Sequence, residues 1–257
     1  LFLIQHPEVN NVDWSSLKTV VYGASPIAQD TLEKAIEIMD CEFWQVYGLT
    51  ETNGAVTFLE PEDHDPSKNK LRSCGKPGYG AEIRIEDENG KDLAVGEVGE
   101  IVIKSDNNMK GYWNNPKATE ESVVDGWFYS GDAGYFDEDG FLYIHDRVKD
   151  MIVSGGENIY PAEVENALMS HDDILDAAVV GIPDEKWGET VKGFVVLKEG
   201  VELKEEEIIS YARTQIAGFK CPKSINYVSE LPRNPSGKIL RKDLRAPYWE
   251  GKDRNIS

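Results

Sequence analysis

The sequence predicts an α/β part followed by an α+β domain, and three changes of texture along its 257 residues carry that prediction. A strand, a helix and a second strand succeed one another over residues 19–48, which is the repeating module of a parallel sheet. Short alternating runs separated by glycine turns fill residues 70–146 and read as a small antiparallel, barrel-like β unit. Strands and helices then mix over roughly 110 residues, an ordinary size for one domain. The predicted organisation is residues 1–69, the end of a large α/β domain whose start is missing; 70–147, its β subdomain; and 148–257, a compact α+β domain.

Each element follows from its residues. The run TVVY (19–22) is β-branched and apolar and stops at Gly23; Ile27, Leu32, Ala35, Ile36 and Met39 then recur at helical spacing through residues 26–39. EFWQVYG (42–48) is the second strand. In the next zone EIRIED, GEIVIKS, GWFYS and GYFDEDGFLYIHD alternate, with Asn89-Gly90, Asp125-Gly126 and Asp139-Gly140 as hairpin signals. Beyond residue 150, Pro161 opens a helix over 161–169 and ILDAAVVGI and ETVKGFVVL are strand-like. Residues 202–216 form an amphipathic helix, and SINYVSEL is a last strand.

Composition narrows the function classes. With 40% hydrophobic residues the chain can bury a sizeable core. No run approaches the roughly 20 apolar residues of a membrane helix, and residues 1–11 carry no basic leader, so a cytoplasmic protein without an integral membrane segment is expected. Cys41, Cys74 and Cys221 lie far apart without paired spacing and are read as free thiols. The four histidines have no ligand spacing and are read as structural or surface residues, and the Asn255–Ser257 sequon as unused. Net charge is −20, but residues 1–146 hold 11 basic and 28 acidic residues whereas residues 218–257 hold nine and four. An acidic body argues against a nucleic-acid partner, and the basic end argues for a smaller anion or for a solvated charged face.

Five stretches carry chemistry. In VYGLTETNGAV (46–56) a strand leads into Gly48, Thr50, Glu51 and Thr52; hydroxyls and a hard carboxylate suit a phosphate with its Mg²⁺, and the same residues equally suit a helix cap. Asp132, in YSGDAG, is either a diol acceptor or a turn residue. Arg147 and Lys149 stand at the junction before the last domain, where a chain can pivot. Ser154-Gly155-Gly156 offers a backbone that a ligand can approach, or a plain turn. In LPRNPSGKILRKDLR (231–245), Pro232, Pro235 and Gly237 keep the segment from regular structure around Lys238, and Arg241, Lys242 and Arg245 keep its surroundings cationic. The Walker spacing is absent there.

Taken together, YGLTE, YSGD, DRVKDMIVSGGENIYPAEVE and PRNPSGKILR resemble the adenylate-forming superfamily, closest to fatty acyl-CoA synthetases, over essentially the whole chain. The resemblance implies an acid–thiol ligase that uses ATP, Mg²⁺ and coenzyme A: a carboxylic acid and ATP give acyl-AMP and pyrophosphate, and the acyl group then passes to the thiol. By position, Lys238, Thr50 and Glu51 match catalytic residues, Glu51 being the metal ligand. Gly23, Ala24, Tyr47, Gly48, Asp132 and Arg147 match the nucleotide site. Lys149 matches the hinge of a mobile last domain; Ser154, Gly155, Gly156, Glu157, Trp187, Phe219 and Lys223 match the coenzyme A side. Cys221 stands where some relatives place an arginine of the nucleotide contact.

The family's glycine-, serine- and threonine-rich phosphate loop has no counterpart here, so the sequence resembles the last half of such an enzyme, its N-terminal half missing. A nucleotide- or coenzyme A-binding module without catalysis, and an aryl- or coumarate-CoA ligase, are the alternative expectations. Acyl chain length is not legible.

Overall fold

The computed structural model describes residues 2–24, 27, 29–235 and 237–251, so Pro26 and Ala28 of the expected first helix and the Asn255–Ser257 sequon lie outside the described residues. The chain divides into two compact units, residues 1–144 and 145–257. Among the described residues no helix is long and apolar enough to cross a membrane.

The first unit opens with a short helix, α1 (Phe2–Gln5), followed by β1 (Thr19–Gly23), α2 (Gln29–Met39) and β2 (Glu42–Leu49). Leu32, Ala35 and Met39 fall on one face of α2, are buried, and pack with Phe43 and Leu71 beneath the sheet. The helix ends at Asp40, which takes the left-handed conformation (φ 44°) while its N–H still bonds Ile36 O. β1 and β2 pair in parallel from Thr19↔Glu42 to Gly23↔Val46, as the strand–helix–strand reading requires. β3 (Gly54–Leu59) and β4 (Lys76–Pro77) extend this sheet antiparallel, because the connection from β2 to β3 is a tight turn too short for a parallel crossover.

The second sheet of this unit contains β5 (Ala81–Glu86), β6 (Gly99–Ser105), β7 (Val123–Val124), β8 (Trp127–Phe136) and β9 (Leu142–Arg147), in the order β5-β6-β8-β7 with β9 on β8. The hairpin signal at Asp125-Gly126 holds. Asp125 and Gly126 both have positive φ and close the two-residue turn between Val124 and Trp127. Between β6 and β7 lies α3 (Pro116–Ser122), unassigned in the sequence reading although Asn115-Pro116 marks its start: Asn115 Oδ1 accepts from Ala118 N (3.2 Å) and Pro116 occupies the first turn. Ile101, Ile103, Phe128 and Leu142 form the core, and Tyr47 and Val56 of the first sheet join the same cluster.

The second unit contains β10 (Ile152–Ser154), β11 (Glu157–Ile159), α4 (Pro161–Met169), β12 (Ile174–Asp184), β13 (Gly188–Leu197), α5 (Glu205–Gln215), β14 (Ser224–Tyr227) and α6 (Arg241–Trp249). The sheet order is β11-β10-β13-β12, with β14 parallel on β13. The long β12–β13 ladder is buried on both faces. Ala177 and Val179 join Val164, Leu168, Ile208 and Ala212 of α4 and α5, whereas Ala178 and Val180 join Leu231 and the Leu244 and Tyr248 side chains of α6. The sequence reading treated residues 241–245 only as a basic stretch; Leu240, Leu244 and Tyr248 at four-residue spacing are the helical signal it passed over.

Candidate active site

Parallel pairing brings the carboxyl ends of β1 and β2 to one sheet edge, the position at which α/β sheets hold ligands. Gly23 and Gly48 are there for close backbone packing: a Cβ at Gly23 would run into the Val46 carbonyl, and one at Gly48 into the Gly54 carbonyl. Ala24 follows in the left-handed region at φ 62°, a strained conformation for a residue with a Cβ. Thr50, Glu51 and Thr52 form a single 3₁₀ turn with Asn53 left-handed behind it. At Thr52 the cap reading holds. Its hydroxyl is buried, accepts from Leu49 N (2.9 Å) and lies 2.8 Å from Gly54 O, so it closes the turn and is not offered to a phosphate. Thr50 is exposed and Glu51 half-buried.

Asp132 is not a turn residue. It sits inside β8, where a register shift opposite Glu100–Val102 re-aims the strand and the Gly131 N–H turns to Glu100 Oε1 (2.9 Å). The Asp132 carboxylate is buried and accepts from the Tyr47 hydroxyl at 2.8 Å, and its own N–H donates to Ser130 Oγ at 3.1 Å. Burial, then the Asp132 charge, push the Tyr47 phenol far up, so it stays a hydrogen-bond donor. Burial, with Asp132 and Glu86 nearby, also raises the Glu100 carboxyl. Two residues that the sequence reading placed in the nucleotide site are thus one hydrogen-bonded pair.

In the second unit, Ser154↔Glu157 closes a two-residue hairpin whose turn, Gly155-Gly156, has φ of 63° and 86°, so both positions demand glycine. Gly155 N donates to Trp187 O (2.8 Å), and a Cβ on Gly155 would strike the exposed indole of Trp187. Ser154 pairs with Gly188 on the edge of β13 that faces away from β12, and Lys223 N bonds Val191 O on that same edge, where β14 begins. Ser154, Gly155, Gly156, Glu157 and Trp187 therefore form one surface, with Lys223 farther along it. Phe219 is exposed and lies beside Lys220, which is itself paired with Glu163 (2.7 Å). Cys221 is buried in the apolar core, so a thiol there packs and contacts no nucleotide.

Lys238 occupies an anchored loop. Asn234 Oδ1 accepts from Lys238 N (2.9 Å), Asn234 N donates to Lys238 O (2.9 Å), and Arg233 bonds both Gly237 O and Asp176 Oδ2 (2.6 Å each). The Lys238 side chain is exposed and has no partner among the described residues. Asp176 and Asp184 mark the two ends of β12, about 26 Å apart along the strand, so the loop tied to Asp176 and the Trp187 turn tied to Asp184 lie at opposite ends of the ladder.

The arginines after Lys238 do not serve it as free positive charge. Arg241 donates through Nε and Nη2 to Glu165 (2.9 and 2.6 Å) and through Nη1 to Asp146 (3.2 Å), and Arg245 bonds Asp150 (2.9 Å). Burial pushes the Asp146 and Glu165 carboxyls up even beside that guanidinium. The pairs instead fasten α6 to the segment around the expected hinge, where Lys149 is exposed in a 3₁₀ turn and Arg147 ends β9.

The AMP-binding enzyme family model matches residues 2–113, and the AMP-binding enzyme C-terminal domain model matches residues 163–238. The chain belongs to the AMP-binding, adenylate-forming enzyme family. It is 42% identical over 99% of its length to 49% of a fatty acid–[acyl-carrier-protein] ligase of Streptomyces coeruleorubidus. Over 95% of its length it is 42% identical to 49% of a feruloyl-CoA synthase of an Amycolatopsis species. Among solved structures, the o-succinylbenzoate coenzyme A synthetase of Bacillus subtilis in complex with ATP and magnesium ion superimposes with a TM-score of 0.82 at 38% identity, over 95% of this chain and 48% of that one. This chain spans about half the length of the curated relatives it matches. The contact that sequence reasoning missed in its first unit is Tyr112, whose hydroxyl donates to Glu51 Oε1 at 2.9 Å.

Proposed function

We propose that the protein is an AMP-forming acid–thiol ligase acting on fatty acids, with Lys238 serving the first half-reaction and the Gly155–Gly156 hairpin the second. The observation that carries this reading is the separation, along one ladder, of an exposed Lys238 side chain, without a partner among the described residues, on an anchored loop from the glycine hairpin beside Trp187. In the first half-reaction a carboxylate oxygen attacks the α-phosphorus of ATP; the new O–P bond forms as the bond to pyrophosphate breaks. Negative charge builds on the α-phosphate oxygens, and a preorganised ammonium stabilises it. The Tyr47–Asp132 pair offers a buried carboxylate to the ribose hydroxyls.

Hard oxygen donors fit Mg²⁺, which takes one or two protein carboxylates plus substrate phosphates, and Glu51 with the exposed Thr50 hydroxyl supplies such a set. When bound, the ion would neutralise phosphate charge. In the second half-reaction the thiol sulfur attacks the acyl carbonyl carbon, the bond to AMP breaks, and the thiol proton passes to solvent. The hairpin backbone and the Trp187 face suit a slender pantetheine arm, whether carried by coenzyme A or by a carrier protein as in the streptomycete relative. An aromatic acid, as in the feruloyl-CoA synthase, is the second reading of the acyl group.

Fatty-acid-dependent ATP–pyrophosphate exchange tests the proposal. Exchange that is lost on Lys238→Ala supports it; none from folded protein across short, medium, long and aromatic acids favours a nucleotide- or coenzyme A-binding module instead.

A further inference from the structure

One loop grips Glu51 at two points. Met109 N donates to the Glu51 carbonyl (2.7 Å), and the Tyr112 hydroxyl donates to Oε1 of its carboxylate (2.9 Å). The loop is itself held. Met109 packs on the cluster of Ile101, Ile103 and Phe128, and Asn108 Nδ2 donates to Ile103 O (2.9 Å). Tyr112 N donates to Thr119 Oγ1 (2.9 Å), whose hydroxyl donates in turn to Asn115 O (3.0 Å) at the start of α3. Gly111 makes this approach possible: its φ is 150°, and a Cβ there would collide with the Thr119 side chain. Glu51 Oε2, by contrast, has no partner among the described residues.

We propose that Tyr112 is a positioning residue that pins Glu51 Oε1 and so presents Oε2 to a hard divalent cation. The inference rests on Glu51 being the metal-binding carboxylate. A carboxylate on a flexible stem rotates unless one oxygen is engaged, and a single donor on Oε1 sets its plane while leaving the other oxygen for the ion. Hydrogen-bond partners of ligating carboxylates typically change metal affinity by 10–100-fold when removed. Tyr112 acts through Glu51 and does not touch the ion.

The test is Mn²⁺ binding to the whole protein in the presence of ATP, followed by electron paramagnetic resonance of the free ion, with thermal unfolding of every variant recorded alongside. Tyr112→Phe keeps the ring and removes only the donor; binding weaker by roughly tenfold or more, with an unchanged unfolding transition, supports the proposal. Thr119→Val, which loosens the frame without touching the phenol, is expected to weaken binding in the same direction by less, and carries the test if Tyr112→Phe does not fold. If Glu51→Gln weakens binding but Tyr112→Phe and Thr119→Val bind like wild type, this inference alone is overturned. If Glu51→Gln binds like wild type, or wild type takes up no Mn²⁺ with ATP, the role given to Glu51 falls and this one falls with it.

Discussion

The Tyr47–Asp132 contact makes a polar pair out of residues 85 positions apart, and its energetics are local. The phenol donates to a carboxylate that is 7% exposed. A hydrogen bond to a charged group contributes about 1.5–3 kcal/mol, so Tyr47→Phe is expected to lower the stability of the first unit by that order. The readout is a reduced urea midpoint at constant slope. For Lys238 the expectation concerns rate. Lys238→Ala should slow acyl-adenylate formation by about 10²-fold or more, as loss of a preorganised charge stabiliser does, while transfer from supplied acyl-adenylate to the thiol stays close to wild type. Equal losses in both half-reactions, measured separately, would contradict the role. At this scale sequence reading found the chemistry-bearing residues and left Thr52 open between phosphate ligand and cap; burial, which no residue type announces, decides for the cap and places the free thiol of Cys221 in the core.

Helix α6 and the β10–β11 hairpin each act as units. α6 brings Arg241 and Arg245 to three carboxylates, Asp146, Asp150 and Glu165, leaving one negative charge in excess. Removing the cation strands buried charge, and Arg241→Met is expected to destabilise the second unit by about 3–5 kcal/mol. Asp146→Asn relieves the excess and should be far milder at neutral pH; similar losses for both would refute this account of the cluster. The hairpin makes a kinetic prediction. Gly155→Ala puts a methyl into the Trp187 indole at φ 63°, so thioester formation should fall while pyrophosphate exchange is kept. The Gly-Gly turn was visible in the sequence, whereas α6 was masked by its own charges: its apolar stripe is only three residues wide and an in-helix Pro247 argues locally against it.

For the whole molecule, two units with separate cores imply that residues 145–251 fold alone, to be checked by the dispersion of their amide NMR spectrum. Their pH responses should differ in sign. His64 is buried between Tyr22 and Glu60 O, and burial pulls its imidazole below the unfolded value of 6.5. The unfolded state then binds more protons, so stability of the first unit falls as pH drops below that value; His64→Gln should flatten the slope in urea titrations. Asp146 and Glu165 are raised, so their contribution is fullest below the unfolded carboxylate range and is lost as pH rises through their folded values. The sequence by itself determined the family, the strand–helix–strand unit, the glycine hairpins and most candidate residues, because these are written in spacings of a few positions that local sterics and burial read directly. Only the tertiary structure decided that Tyr47 meets Asp132, Tyr112 meets Glu51 and Arg241 is spent on Glu165. Those partners lie 85, 61 and 76 residues apart, and strand register and sheet order, to which no local pattern gives access, bring them together.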